Sequence, residues 1–238
     1  MGRLEGHPAD LHGRALPALI ARRIDVLVPT TSAVVLGSTQ AMPENEAIGL
    51  DVVRRRSGGG AVLVTPDDPV WVDVDLPAGD PRWSDDVGRS FLWLGEAWAA
   101  ALAALGLDGK VHRGPFEPGR WGRAVCFAGR GPGEVFVEGA KVVGLAQRRT
   151  RAGARFQCAV LRRWEPERLI EAVVATAERA AAQRDLPAVA RGLDVEAEAV
   201  VSAFVSALAR GPVGDGLPRG AVVDHRGVVG RRSGGNLE

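Results

Sequence analysis

Three consecutive glycines, Gly58-Gly59-Gly60, interrupt two β-branched runs, and no other feature of the sequence restricts the backbone as tightly. Residues 50–55 ahead of them and 61–64 behind them read as strands. A triple-glycine break between strands calls for a turn at positive φ, or for a backbone that something else approaches closely. The chain therefore builds on a sheet. Upstream, residues 24–28 and 33–36 are two more strands joined by a tight connection at Pro29-Thr30-Thr31-Ser32, followed by a polar loop at 38–45. Downstream, Val70, Val72, Val74 and Leu76 alternate with Trp71, Asp73 and Asp75, which predicts a strand with one apolar and one polar face.

Helical spacing appears next. Ser84 is the expected N-cap, with Asp85 and Asp86 in the first turn, and Val87, Phe91, Leu94, Trp98, Leu102 and Leu105 recur on one side up to Gly106. This predicts a long amphipathic helix covering the sheet, with its aromatic residues in the core. Residues 124–127, 134–137 and 141–149 read as strands, and a turn at 150–154 leads into a return strand at 155–162, an antiparallel meander. A second helix is expected from Pro166 to about Arg184. A third, capped by Asp194, is expected to end at Arg210-Gly211-Pro212. Strands and helices mix as runs rather than in strict βαβ alternation, so the fold class is α+β, a central, mostly antiparallel sheet flanked by helices.

Composition excludes several classes. The 238 residues are 46% apolar and 25% charged with a net charge of +1, unlike a disordered chain, a collagen or a polybasic nucleic-acid arm. No run approaches the roughly 20 apolar residues that span a bilayer, and residues 1–20 carry Arg3, Glu5, Asp10 and Arg14, so neither membrane insertion nor export is expected. Two cysteines make neither a disulfide framework nor a structural zinc site, which fits a reducing cytoplasm. Lys110 and Lys141 are the only lysines among 30 basic residues. In a chain that otherwise uses arginine, each lysine is a candidate for a compact ammonium.

Two segments carry candidate chemistry. Arg54-Arg55-Arg56-Ser57-Gly58-Gly59-Gly60 combines guanidinium groups with unshielded amides, a combination suited to an anion, although the spacing is not that of a nucleotidase phosphate loop. In Gly139-Ala140-Lys141-Val142-Val143-Gly144-Leu145-Ala146-Gln147, strict alternation puts Lys141, Val143, Leu145 and Gln147 on one face, with Gly144 opposite them open to a backbone or ligand. Asp73 and Asp75 offer oxygens for Mg²⁺, but a solvated face is the simpler reading. His7, His12, His112 and His225 have no ligand spacing and are expected at the surface.

Residues 34–40 (Val-Val-Leu-Gly-Ser-Thr-Gln), 54–62 and 139–147, in that order, resemble the lipoate protein ligase and octanoyltransferase family, whose catalytic domain is related to that of biotin protein ligases. The resemblance covers about residues 24–168. It implies a catalytic domain at 1–185, followed by a helical extension at 186–212 and a flexible tail at 213–238. It implies lipoate or octanoate bound between the glycine loop and the Lys141 strand. ATP and Mg²⁺ would activate the acid as an acyl-adenylate, and Lys141 would be catalytic. Arg54, Arg55, Ser57, Gly58, Gly59, Gly60, Ala61, Gly144, Ala146, Gln147 and Gln40 would bind acyl chain or adenylate. The acceptors would be lipoyl carrier domains of 2-oxoacid dehydrogenase complexes or the glycine cleavage H protein. A separate accessory subunit is a further expected partner, because only one helix and a tail follow Arg184.

The sequence departs from the ligase pattern where Val64-Thr65 and Asp68 replace the usual His-Asp pair and following Asn, and where Gln157-Cys158 replaces His-Gly. A rival reading is therefore an octanoyltransferase that takes its acyl group from a carrier-protein thioester, with Cys158 or Cys126 as nucleophile. A hairpin centred on Ala152 would pair Cys158 near Ala146, on the face opposite Lys141 and roughly 17 Å from it. Buried, hydrophobe-like cysteines are the simpler reading of both. A non-catalytic acyl or carrier binder is the third reading. No helix-turn-helix precedes the domain, so nucleic acid is not expected as a partner.

Overall fold

The computed structural model describes residues 1–43 and 49–210. The expected tail, His225 and part of the 38–45 loop fall outside them. Seven strands form the main sheet: β1 (Gly2–Gly6), β2 (Arg23–Pro29), β6 (Val70–Pro77), β7 (Lys110–Val111), β8 (Val135–Val137), β9 (Ala140–Thr150) and β10 (Gly153–Val160). Their spatial order is β1-β2-β6-β10-β9-β8-β7, antiparallel throughout except for the β1–β2 pair. A second, three-stranded sheet has the order β4-β3-β5, made by β3 (Ala33–Leu36), β4 (Asp51–Arg54) and β5 (Val62–Val64). The tight connection after β2 thus moves the chain from one sheet to the other.

The layers follow from which faces are apolar. Helices α2 (Leu92–Ala104) and α5 (Ala197–Arg210) cover one face of the main sheet, where Val72, Val74, Trp98, Phe156 and Phe204 share a core. The small sheet lies against the other face through Val35, Val62, Val64 and Trp71. Its outer side is covered by α3 (Glu167–Val173) and α4 (Arg179–Asp185), against which Val34 and Leu36 pack. All four residues of β3 are buried for that reason. A sheet strand enclosed on both faces reads as continuously apolar.

Several sequence expectations need correction. The Asp face of β6 is not solvated: Asp73 and Asp75 are 1% and 2% exposed. Arg14 and Arg155 donate to Asp73 and Asp75, and Arg14 also reaches Asp25, so the carboxylates are held by guanidinium groups rather than presented to a cation. Arg14 arrives from β1 and α1 (Pro8–Gly13), two elements that residues 1–20 did not announce. Ser84 caps no helix. A 3₁₀ turn at Arg89–Phe91, whose first amide donates to Asp86 Oδ1, leads into α2 instead. That helix is apolar on two sides because it packs against α5 as well as the sheet, and the Trp98 and Phe204 rings stack at 3.7 Å.

Residues 124–127 make only one bridge, Ala61 to Val125, before the chain curls into a 3₁₀ turn at Cys126–Ala128. The single helix expected from Pro166 is split at Val174, which is extended; Arg179 donates to the carbonyls of Val174 and Glu171 left free there.

Candidate functional site

The glycine loop is shaped by its own arginines. Arg55, buried at 5% exposure, donates to the carbonyls of Gly58 and Gly60, both at 2.8 Å. Arg54 donates to the carbonyls of Gly37, Ser38 and Gln40. Gln40 accepts from the Gly37 amide at 2.8 Å and donates to the Ala124 carbonyl at 3.0 Å, tying the end of β3 to the turn before Cys126. Glycine is required at position 60, where a Cβ would come within 2.7 Å of the Val125 and Cys126 backbone. Ala61, fully buried, exchanges main-chain hydrogen bonds with Ala124 and Cys126. Loop and Cys126 turn are therefore one rigid unit.

Lys141 is 1% exposed. Its Nζ lies 2.6 Å from Glu134 Oε1 and donates to the carbonyls of Cys126 at 2.9 Å and Gly129 at 3.1 Å. Burial pushes the Glu134 carboxyl up, and Lys141 and the amides of Gly131 and Leu145 draw it back. The ammonium also stands 5.2 Å from the Phe127 ring centre. Lys141 faces this turn because β9 carries an extra residue: Val135 pairs with Val143 but Phe136 with Lys141. A bulge of this kind reverses the facing of everything on one side of it. Val142 and Val143 accordingly sit in the same core, with α2. Lys141 joins Gly144 against Phe127 instead, where a Cβ on Gly144 would be 3.1 Å from the ring. Gln147 lies on the other face, against Ser90 and Arg149, not beside Lys141 as alternation had it.

An apolar cavity of about 50 Å³ lies between the sheets. Gly144, Ala146, Gln157 and Ala159 form its floor, and Val35, Val62, Val64 and Phe127 its roof, with Arg55, Cys126, Trp71 and His12 around the sides. Ser57 Oγ donates to Gln157 Oε1 at 3.0 Å, and Gln157 Nε2 stands 3.1 Å from His12 Nδ1. His12 is not the surface residue expected of it. Its ring stacks on Trp71 at 4.2 Å, and burial, with Arg55 and Arg14 nearby, brings its pKa down to about 3.

The cysteines divide clearly. Cys126 is partly exposed, lines the cavity and contacts the Arg55 guanidinium. Cys158 pairs with Leu145, one residue from the expected register, and is fully enclosed in the α2 core, where burial pushes its thiol up. The register difference and the bulge offset one another, so Cys158 still lies opposite Lys141. Cys158 also borders the cavity, but its thiol is fully buried against Trp98 in the α2 core, whereas Cys126 is partly exposed. Among the described residues no three carboxylate, imidazole or thiol groups converge as a metal site.

The octanoyltransferase LipM of Kyrpidia tusciae is 35% identical over 128 residues, which are 52% of this chain and 46% of that protein. The chain thus spans less than half the length of the curated relatives it matches. A bipartite lipoate protein ligase from Thermoplasma acidophilum, studied with its E2 lipoyl domain, has the same fold, with a TM-score of 0.68 at 18% identity over 88% of this chain and 81% of that one. So has a lipoate-protein ligase A bound with ATP, with a TM-score of 0.62 at 16% identity over 87% and 82%. The family model described as the lipoyl protein ligase A/B catalytic domain matches residues 18–206, from β2 to within α5. Cavity, glycine loop and Lys141 strand all lie inside that span, and this chain belongs to the lipoyl protein ligase A/B catalytic domain family.

Proposed function

We propose that this protein is a thioester-dependent acyltransferase that takes an octanoyl-class acyl group onto Cys126 and passes it to a lysine of a lipoyl carrier domain. The observation that carries this reading is Cys126, the partly exposed one of the two cysteines that border the apolar cavity, beside the guanidinium of Arg55. The Cys126 sulfur would attack the donor thioester, releasing the donor thiol and leaving an acyl-cysteine; the carrier amine then displaces the sulfur to form the amide. A fixed guanidinium beside the sulfur opposes the charge that develops there. Lys141 holds the carbonyls on both ends of the turn that carries Cys126, which fixes the nucleophile's position. The engagement of Arg54 and Arg55 with loop carbonyls leaves no guanidinium of that pair directed at a nucleotide, which favours a thioester over ATP as the source of activation. The LipM relative supports the same choice.

The test is the intact mass of the protein and of a lipoyl domain after mixing with octanoyl-carrier thioester, and separately with octanoate or lipoate plus ATP and Mg²⁺. Expected is an acyl adduct from the thioester on the wild type and on Cys158→Ser, absent from Cys126→Ser, followed by acylation of the domain. Domain acylation only in the ATP mixture would instead make it a ligase. Acylation unaffected by Cys126→Ser would remove the thiol from the mechanism.

A further inference from the structure

The acyl cavity has a neighbour. A second, polar cavity of about 450 Å³ is lined by His7, Asp51, Arg54 and Arg56 among others, and it has a single lining residue in common with the apolar one, His12. The apolar cavity's other boundaries are doubled: Val62 and Phe127 separate it from the space beside Trp164, and Pro69 and Trp71 from the space beside β1. The His12 ring is thus the one side chain that borders both spaces. It is built as a partition. Trp71 stacks on it, and the Ser57–Gln157 pair sets its Nδ1 edge. Its helix is anchored at one end by His7 on Asp51 at 2.9 Å, and at the other by Arg14 on the buried Asp25 and Asp73. The ring is uncharged at neutral pH, so an acyl chain can lie against it without desolvating a cation.

His12 also stands two strands across the sheet from Lys141, since Trp71 lies on β6 and β10 separates β6 from β9. That is roughly 10 Å from the strand behind Cys126.

From this geometry we infer that His12 is the specificity-determining residue that ends the acyl cavity and sets the longest chain it accepts. The inference rests on the acyltransferase reading only for the nature of the occupant. Removing the ring joins the two cavities, so that carbons beyond the limit pass into the second. Each methylene that gains burial adds about fourfold in affinity.

Equilibrium binding of free octanoate and dodecanoate, read by displacement of a fluorescent fatty acid, tests this without any transfer step. Wild type and His12→Phe, which keeps the bulk of the ring, are expected to bind octanoate and to bind dodecanoate no more tightly. In His12→Ala, and in the milder His12→Val should the alanine variant not fold, dodecanoate should gain at least about tenfold relative to octanoate. Unchanged preference in the folded small-residue variant would overturn the inference, as would a wild type that already favours dodecanoate or binds neither acid. The expected binding profile without adduct formation at Cys126 would leave the ruler standing and remove the transferase chemistry.

Discussion

Lys141 and Glu134 form an ion pair in which both members are removed from solvent, with side-chain exposures of 1% and 5%. Taking away one partner strands the other charge in the interior, which costs about 3–5 kcal/mol, whereas replacing both by uncharged groups costs far less. Lys141→Met is therefore expected to lower stability by that amount, and Lys141→Met with Glu134→Gln by clearly less than the sum of the single variants. Urea denaturation of the four proteins measures it, and additive losses would contradict the pairing. His12 gives a second prediction. Its pKa is about 3 in the folded protein against 6.5 when unfolded, so between those values the unfolded chain binds more protons and stability falls as pH is lowered. Melting temperatures from pH 6.5 to pH 4 should drop more steeply for wild type than for His12→Phe, by at most about 1.4 kcal/mol per pH unit. Parallel curves would refute the shift.

Strand β9 shows how one inserted residue decides which side chains share a surface. Deleting Val142 would restore regular pairing and turn Lys141 toward the α2 core, away from the Cys126 carbonyl. Acyl transfer should then be lost, with reduced stability, and wild-type activity in the deletion variant would show that the bulge does not matter. The sequence made the strand legible, along with the lysine in it and the close approach at Gly144. It concealed the bulge, because Val142 and Val143 are alike and alternation has no marker for an extra residue. The charged face of β6 misled for a related reason. Asp73 and Asp75 look solvated until Arg14 and Arg155 are brought over them, and no local pattern connects position 14 to position 73. The glycine loop read correctly as a turn with a positive φ and a close backbone approach, but the use of Arg54 and Arg55 to hold its carbonyls follows only from the tertiary arrangement.

At the scale of the molecule, two sheets and two pairs of helices stack so that the cavity opens between the sheets, while α2 and α5 close the main core far from it. Phe204 is fully buried against Trp98, and Phe204→Ala is expected to cost about 3–5 kcal/mol in chemical denaturation. Octanoate affinity in the folded variant should stay unchanged; a loss below about 1 kcal/mol would mean that α5 is not integral to the fold. The N-terminal strap that carries His12 is tied down in large part by residues met much later in the chain. Arg14 finds Asp73 after 59 residues, its carbonyl finds Arg155 after 141, and His12 finds Gln157 after 145. Contacts of such long sequence separation form late, because the intervening chain has to be ordered first. During synthesis the strap leaves the ribosome early and waits for β10, so the floor and roof of the cavity assemble as an open trough and its end is sealed among the last events of folding.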